Sequence, residues 1–242
     1  SESDNIIDLI ISSLLKEKLS LEKGDILAIS GKIVALCNGY TIDLKNIIPS
    51  TQSQKMAKTY GLDPKFIELI LKHSDSIHGG VNKALLTKKQ GILIANAGID
   101  LKNAPEGKVI LWPDNPNLQA EIIRKALIKK LGIKLGIIIV DSGLYPLRTG
   151  TIGLAIGIAG FNPVKDYRKT KDIYGKPIHI TRLNKADDLA AASHIYMGEG
   201  KEHIPLVIIR NAPITLKDTY NPDQVKLPDD ECIYMNNISK KL

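Results

Sequence analysis

Helix-type patterning recurs in five stretches of the chain, and each predicts a helix. The helices are expected from Asn5 onwards, over residues 53–60, from Asp63-Pro64 to His73, over residues 117–131, and in the segment ADDLAAASHIYMG. The Asp-Pro pair is typical of a helix start, and Gly132 is typical of a helix end. The segments between these helices must therefore supply the strands.

Continuous apolar runs between the helices predict the strands. One strand is expected through residues 33–36, before a turn at Asn38-Gly39, and HIPLVIIRNAP predicts a buried strand. Two further strands, in GILIANAGID and GIIIVDS, are expected to end at Asp100 and Asp141. The segment DYRKTKDIYGKPIHITRLN predicts a loop and then a short strand, whereas Gly79-Gly80 and TKKQG predict loops.

The order of these elements restricts the fold. Strands and helices alternate unevenly, and no GxGxxG motif follows the first strand, so a Rossmann fold is a poor match. A chain of 242 residues can form one large domain or two interlocked ones. We expect the domain to cover residues 1–212 without a clean linker, and residues 213–242, with three prolines, to be an irregular tail.

Composition is that of an ordinary soluble protein, with 43% hydrophobic and 24% charged residues. No apolar run approaches the roughly 20 residues needed to span a bilayer. The start SESDN lacks the features of a signal peptide, so we expect a cytoplasmic protein that binds no membrane. The only cysteines, Cys37 and Cys232, argue against a disulfide framework, although one bridge between them stays open.

The net charge of +7 indicates anionic partners. Lysines are scattered, and aromatic residues make up only 5% of the chain, so stacking surfaces for nucleic acid are scarce. We therefore expect small anionic substrates and no nucleic acid. Lys165, Arg168 and Lys171 form a basic loop that either clamps such a substrate or is simply solvated.

The two strand-end aspartates are the first candidates for chemistry. Asp100 and Asp141 could hold a hard divalent cation, and the glycines of TGTIGLAIGIAG, which follow Asp141, permit close approach of a bound group. This pattern suggests metal-assisted phosphate chemistry. The alternative is structural, with aspartates that cap turns and glycines that allow strands and helices to pack closely.

Several other polar or aromatic residues have a structural interpretation. Asp187 and Asp188 begin a helix, where the helix dipole favours carboxylates. His194 is expected at a surface or interface, and Trp112 in the core or at an interface. His203 is a stronger candidate, because it lies within the last of the motifs described next.

Six motifs in one order resemble a known family. They are NAGID at 96–100, the pair Asp141-Ser142, GxxGxAIGIAG at 150–160, KDxxxxKDxYG at 165–175, ADDLAAA at 186–192 and MGEGxxxxIP at 197–205. Each motif is weak alone, but together they resemble the coenzyme F420-0:L-glutamate ligase (F420-0 gamma-glutamyl ligase) family, over about residues 25–210.

The resemblance implies an α+β protein of the family's own fold, with mixed and antiparallel sheets, packed helices and two interlocked subdomains. It implies a homodimer that adds L-glutamate to a deazaflavin coenzyme precursor. GTP first phosphorylates the terminal carboxylate, and the glutamate amine then attacks the acyl phosphate. Two divalent cations, Mg²⁺ or Mn²⁺, assist by neutralising phosphate oxygens. The resemblance also allows a monovalent cation, such as K⁺, as a further cofactor.

The resemblance also implies roles for particular residues. The metal ligands are Asp100, Asp141, Ser142 and Glu199, with serine replacing a threonine, and the catalytic residues are Asp141 and Arg148. The nucleotide contacts are Gly31, Lys32, Asn103, Met197, Gly198, Glu199, Gly200, Lys201, Glu202, His203 and Ile204.

Some family features are changed. The family's SKAEG segment reads ALCNG at residues 35–39, without its lysine or glutamate, and of three cations after Asp141 only Arg148 remains. The strand and turn that precede the first helix in the family are not matched in this sequence. Loss of cations around a triphosphate weakens its binding, because each charged hydrogen bond contributes about 1.5–3 kcal/mol. Two alternatives therefore stay open: a divergent paralogue with another nucleotide or acceptor, and a catalytically silent binding homologue.

Overall fold

The computed structural model describes residues 4–238, which form a mixed α and β fold. The α-helices of this part are α1 (Ile6–Lys16), α2 (Gly31–Cys37), α3 (Thr51–Tyr60), α4 (Pro64–His73), α5 (Pro116–Leu131), α6 (Lys185–Met197) and α7 (Met235–Ile238). The strands are β1 (Ile26–Ser30), β2 (Thr41–Asp43), β3 (Ser76–Val81), β4 (Ala84–Lys89), β5 (Ile92–Ala95), β6 (Lys108–Ile110), β7 (Gly136–Leu144), β8 (Thr151–Ala159), β9 (Val164–Asp166), β10 (Arg182–Asn184) and β11 (Leu206–Ile209).

The five predicted helices are confirmed as α1, α3, α4, α5 and α6. Their ends follow local chemistry. The side chain of Asn5 accepts the backbone N–H of Ile7 at the start of α1, and that of Asp63 accepts the N–H of Lys65 at the start of α4. Gly132, with φ of 71°, ends α5 in the left-handed conformation.

The described residues divide into two units, each described separately. Within the described residues, unit 1 comprises residues 4–37, 114–145 and 149–225. Its main sheet has the order β11-β1-β7-β8, in which β1 and β7 are parallel and the other pairs antiparallel. A separate antiparallel pair, β9 and β10, flanks the predicted basic loop.

The main sheet of unit 1 is covered by helices on both faces. One face carries Ile138 and Val140, which pack with Ala186 and Ala190 of α6. The opposite face carries Ile139, and α2 and α5 pack there. Side chains of β7 therefore alternate between two helical layers.

The outer edge of β8 is bonded to helix side chains. The backbone N–H of Ala155 donates to Oδ1 of Asp187 in α6 (2.9 Å), and that of Ile158 donates to Oδ1 of Asn117 in α5 (3.0 Å). Burial raises the pKa of the Asp187 carboxyl, although the Ala155 bond opposes the shift. The structural role predicted for Asp187 is thus confirmed.

Unit 2 comprises residues 38–113, 146–148 and 226–238. It contains the antiparallel sheet β3-β4-β5 and the pair β2-β6. Helix α4 supplies much of its core, through Phe66, Ile67, Leu69 and Ile70. Trp112 is buried in this unit as predicted, and its ring packs on Gly98.

Four of the strand and loop predictions were wrong in whole or in part. Residues 33–36 belong to α2, because burial of Val34 and Ala35 outweighs the local preference of the apolar run. Gly79-Gly80 lies within β3, and TKKQG begins within β4 and turns only at its last two residues. The predicted buried strand, β11, is half-buried because it pairs on one side only.

Both aspartates expected at strand ends lie elsewhere. β7 continues through Asp141 to Leu144, and β5 already ends at Ala95. Asp100 follows a 3₁₀ turn, Asn96–Gly98, and forms an isolated antiparallel bridge with Ile110. The turns lie further along the chain than these aspartates. One is at residues 145–150, after β7, and the other is at residues 102–107, before β6.

The segment after residue 212 contains short elements. Leu216 forms an antiparallel bridge with Phe161, and a 3₁₀ turn, Pro222–Val225, precedes α7. Residues 239–242 of the predicted tail lie outside the described residues. No helix within residues 4–238 has the length and hydrophobicity required to cross a membrane.

Candidate functional site

The best-formed candidate site in unit 1 surrounds Glu199, just after α6. Gly198 ends the helix with φ of 66° and donates its N–H to the carbonyl of His194 (2.9 Å). The chain then returns Glu199 to the start of β8, where Thr151 Oγ1 donates to Glu199 Oε1 (2.7 Å). Nε2 of His194 lies 2.9 Å from the same oxygen. A helix end and a strand start therefore hold one carboxylate oxygen.

Close packing of α6 on β8 brings His194 to this position. A Cβ on Gly153 would overlap the carbonyl of Ala190 and the Cβ of His194, so only glycine permits this approach. Gly157 likewise lies against the carbonyl of Pro116 at the start of α5. These two glycines support the packing interpretation of the glycine-rich segment.

Ser142 joins the same group of residues from the neighbouring strand. It is paired with Gly153 in the β7–β8 register, on the face covered by α6, and its side chain lies near enough to Glu199 to help lower the pKa of that carboxyl. Burial disfavours the charged form of Glu199, but the hydrogen bonds from Thr151 and His194, with a smaller effect of Ser142, outweigh burial and lower the pKa of its carboxyl. Glu199 is thus held as a carboxylate beside a hydroxyl.

Asp141 lies on the other face of the sheet, because side chains alternate along β7. It is half-buried, and its Oδ1 accepts the backbone N–H of Ser142 (2.8 Å). The predicted ligands of unit 1 therefore form two sets, Asp141 on one face and Ser142 with Glu199 on the other.

The donor set is chemically suited to a hard cation. Asp141, Ser142 and Glu199 offer only oxygen atoms, which Mg²⁺ and Mn²⁺ prefer, and no sulfur or imidazole ligand is required. Across residues 4–238, no three His, Cys, Asp or Glu side chains are grouped closely enough to hold a metal ion.

The predicted residues of unit 2 lie in its loops. Asp100 accepts the backbone N–H of Lys102 with Oδ1 (2.6 Å). Asn103 is exposed and left-handed, with φ of 57°, in the turn before β6. Arg148 is exposed in the turn between β7 and β8.

The remaining predicted nucleotide contacts belong to unit 1. Gly31 is buried at the start of α2, where a Cβ would meet the side chain of Ile156 at 3.1 Å, and Lys32 is half-buried beside it. In the 197–204 loop, Met197 packs against the core. Glu202 folds back, and its Oε2 accepts the N–H of Gly200 (2.8 Å).

The last members of this loop face solvent. They are Lys201, His203 and Ile204, and His203 is left-handed with φ of 56°. Of the histidines in residues 4–238, it is His194 and not His203 that contacts the Glu199 carboxylate.

Two members of the Glu199 group were not predicted as site residues. His194 was expected at a surface or interface, and Thr151 was passed over at the start of the glycine-rich segment. Gly198 ends α6 and reverses the chain, which brings residue 199 back to the last helical turn. A glycine at that position is therefore the sequence signal that could have predicted the contact between His194 and Glu199. No local signal predicts the contact of Thr151.

A family model described as F420-0:Gamma-glutamyl ligase matches residues 1–211 of the chain. Similar proteins include the coenzyme F420:L-glutamate ligase of Methanothermobacter thermautotrophicus, 38% identical over 87% of this chain and 84% of that protein. The protein of the same name from Methanocaldococcus jannaschii is 37% identical over 89% of this chain and 86% of its own length. That of Methanopyrus kandleri is 35% identical, with coverage of 89% and 86%.

Proposed function

Since the chain belongs to the F420-0:gamma-glutamyl ligase family, we propose that it is a glutamate ligase of coenzyme F420 biosynthesis. We propose further that it uses GTP and divalent cations, Mg²⁺ or Mn²⁺, with a monovalent cation such as K⁺ as an additional cofactor. The acceptor is a carboxylate of the deazaflavin precursor, and the donor is the amine of L-glutamate.

The proposed reaction has two steps. A carboxylate oxygen of the precursor attacks the γ-phosphorus of GTP, and the bond to the β-phosphate oxygen breaks to release GDP. The glutamate amine then attacks the acyl carbon, loses a proton and expels inorganic phosphate. Precursor, glutamate and GTP thus give the amide, GDP and phosphate.

The observation that carries this proposal is the Glu199 carboxylate, fixed beside the Ser142 hydroxyl within a matched family motif. Divalent cations, when bound, supply positive charge to the phosphate oxygens and stabilise charge that develops during transfer. Ser142 and Glu199 would hold one cation on the α6 face of the sheet. Asp141 and Asp100 are the other proposed metal ligands.

Other residues would bind the nucleotide. Arg148 is exposed and always charged, so it is suited to contact phosphate oxygens. Asn103, Gly31, Lys32 and the 197–204 loop are the remaining proposed contacts. We also propose a homodimer and a cytoplasmic location, since GTP and glutamate are metabolites of that compartment.

A paralogue with another nucleotide or acceptor is the second candidate. It is favoured by one observation: Leu36 of α2 stands where the family segment has a lysine. An apolar helical turn supplies no charge to a triphosphate.

Calorimetric titration of GTP into the full chain, with and without Mn²⁺, tests the proposal. We expect GTP-selective binding that requires Mn²⁺, weak binding of ATP, and loss of metal-dependent binding in Asp141→Asn. Asp8→Asn, at an exposed position of α1, is the matched control and should bind as the parent does. Unchanged binding in Asp141→Asn would refute the metal assignment, and binding of neither nucleotide would favour the paralogue.

A further inference from the structure

The Glu199 carboxylate is already held by two side chains that belong to no predicted ligand set. Thr151 Oγ1 and His194 Nε2 both meet Oε1, at 2.7 and 2.9 Å, so the second carboxylate oxygen bonds neither of them. An ionised carboxylate only accepts hydrogen bonds, so Nε2 of His194 carries the proton in this contact.

We propose that His194 and Thr151 are positioning residues that fix the Glu199 carboxylate for a divalent cation. This inference rests on the proposed function, because it takes Glu199 as a metal ligand. It goes beyond that function by assigning roles to two residues outside the ligand set.

The surroundings explain why positioning is needed. The Glu199 side chain is 45% exposed and follows a glycine, so neither packing nor a helix restricts its rotamers. A free glutamate must lose this rotamer freedom when it binds a cation, which weakens the affinity. Two hydrogen bonds restrict it in advance, and partners of this kind that hold metal ligands change metal affinity about 10- to 100-fold.

The two donors are themselves fixed. The His194 side chain is only 14% exposed, and its Cβ packs at the position that a side chain on Gly153 would occupy. Thr151 is the first residue of β8 and pairs with Leu144 in the β7–β8 register. The start of a strand and the end of a helix thus aim both donors at one oxygen.

The test is Mn²⁺ affinity, measured by EPR of free Mn²⁺ on the full chain with and without GTP. His194→Leu and Thr151→Val remove the donors, and we expect about 10- to 100-fold weaker binding of Mn²⁺ in each. His194→Gln places an amide N–H near the position of Nε2, and Thr151→Ser keeps the hydroxyl, so both should bind close to the parent. His179→Leu and Thr181→Val, at exposed positions around β10, are matched controls and should leave affinity unchanged.

Each outcome has a separate meaning. Parent-like affinity in His194→Leu and Thr151→Val would overturn the positioning role while leaving the proposed function intact. Equal losses in the donor-keeping and donor-removing variants would also overturn it, since they would indicate packing. No Mn²⁺ binding by the parent, with or without GTP, would refute the proposed metal dependence and this inference with it. Thermal unfolding of each variant confirms that the fold is retained.

Discussion

Gly157→Ala should destabilise the protein. This holds although alanine lowers the conformational entropy of the unfolded chain, an effect that by itself favours the folded state. A Cβ at this position would lie 2.5 Å from the carbonyl oxygen of Pro116 and 3.0 Å from Cδ1 of Ile139. Close carbon–oxygen contacts in proteins are about 3.3–3.6 Å, so strand and helix would have to separate by roughly 0.8 Å. The obstructing atoms belong to the backbone of Pro116 at the start of α5, so no change of side-chain rotamer can relieve the clash.

The size of the effect follows from two opposing contributions. Overpacking of this kind costs about 1–3 kcal/mol. Replacing glycine lowers the entropy of the unfolded chain, which stabilises by about 0.4–1 kcal/mol. The net loss is about 1–2 kcal/mol, or a fall in Tm of roughly 2–8 °C for a chain of this size.

Differential scanning calorimetry measures this change, and Gly143→Ala in the adjacent strand is its matched control. A Cβ there would lie 3.6 Å from its nearest atoms in Leu154, an ordinary contact, so Tm should stay the same or rise slightly. If Gly157→Ala melts at or above the parent temperature while Gly143→Ala does the same, the close-packing argument is refuted.

Three further predictions concern stability. Hydrogen bonds from Ser50 lower the pKa of Glu68 to about 2, below its unfolded value, so this stabilisation is complete above the unfolded pKa and is lost as pH falls towards 2. Glu68→Gln should therefore lower the free energy of unfolding by about 1–2 kcal/mol at pH 7, and this free energy should then fall less steeply as the pH is lowered. Urea denaturation at several pH values measures both effects, and an unchanged pH dependence would contradict the prediction. Arg210→Ala removes the guanidinium that pairs with the buried Asp25 carboxylate, so it should lower the free energy of unfolding, measured in urea, by about 1–3 kcal/mol. An unchanged free energy would show that the pair is not needed for stability. Gly98→Ala would drive a methyl group into the chain's only tryptophan ring, so Tm and near-UV circular dichroism should both fall, and a native-like spectrum would disprove the contact.

The sequence predicted the helices well, because their signals are local. Asn5 and Asp63 cap their helices with their own side chains, and Gly132 ends α5 through its own φ. The strand prediction for residues 33–36 was wrong because the deciding signal there is not local. Their apolar run fits a strand or a helix equally well, and burial of Val34 and Ala35 decided for the helix.

The candidate site was predictable only in part. The family motifs pointed to Ser142 and Glu199, which the structure brings together on the α6 face of the sheet. Thr151 and His194 could not be found in this way, because their contacts with Glu199 depend on how α6 packs on β8. The division of Asp141 from Ser142 between two faces also needed β7 to continue past both residues, where the sequence suggested that the strand ends.

The bonds from Ala155 to Asp187 and from Ile158 to Asn117 have a consequence beyond the fold of one molecule. β8 is the last strand of its sheet, and unpaired N–H groups on such a strand can recruit strands from other chains. Here two helices occupy those donors with their own side chains. The strand most central to the candidate site is thereby protected against intermolecular β-pairing and aggregation, even though its sequence, TIGLAIGIA, is uncharged and rich in β-branched residues.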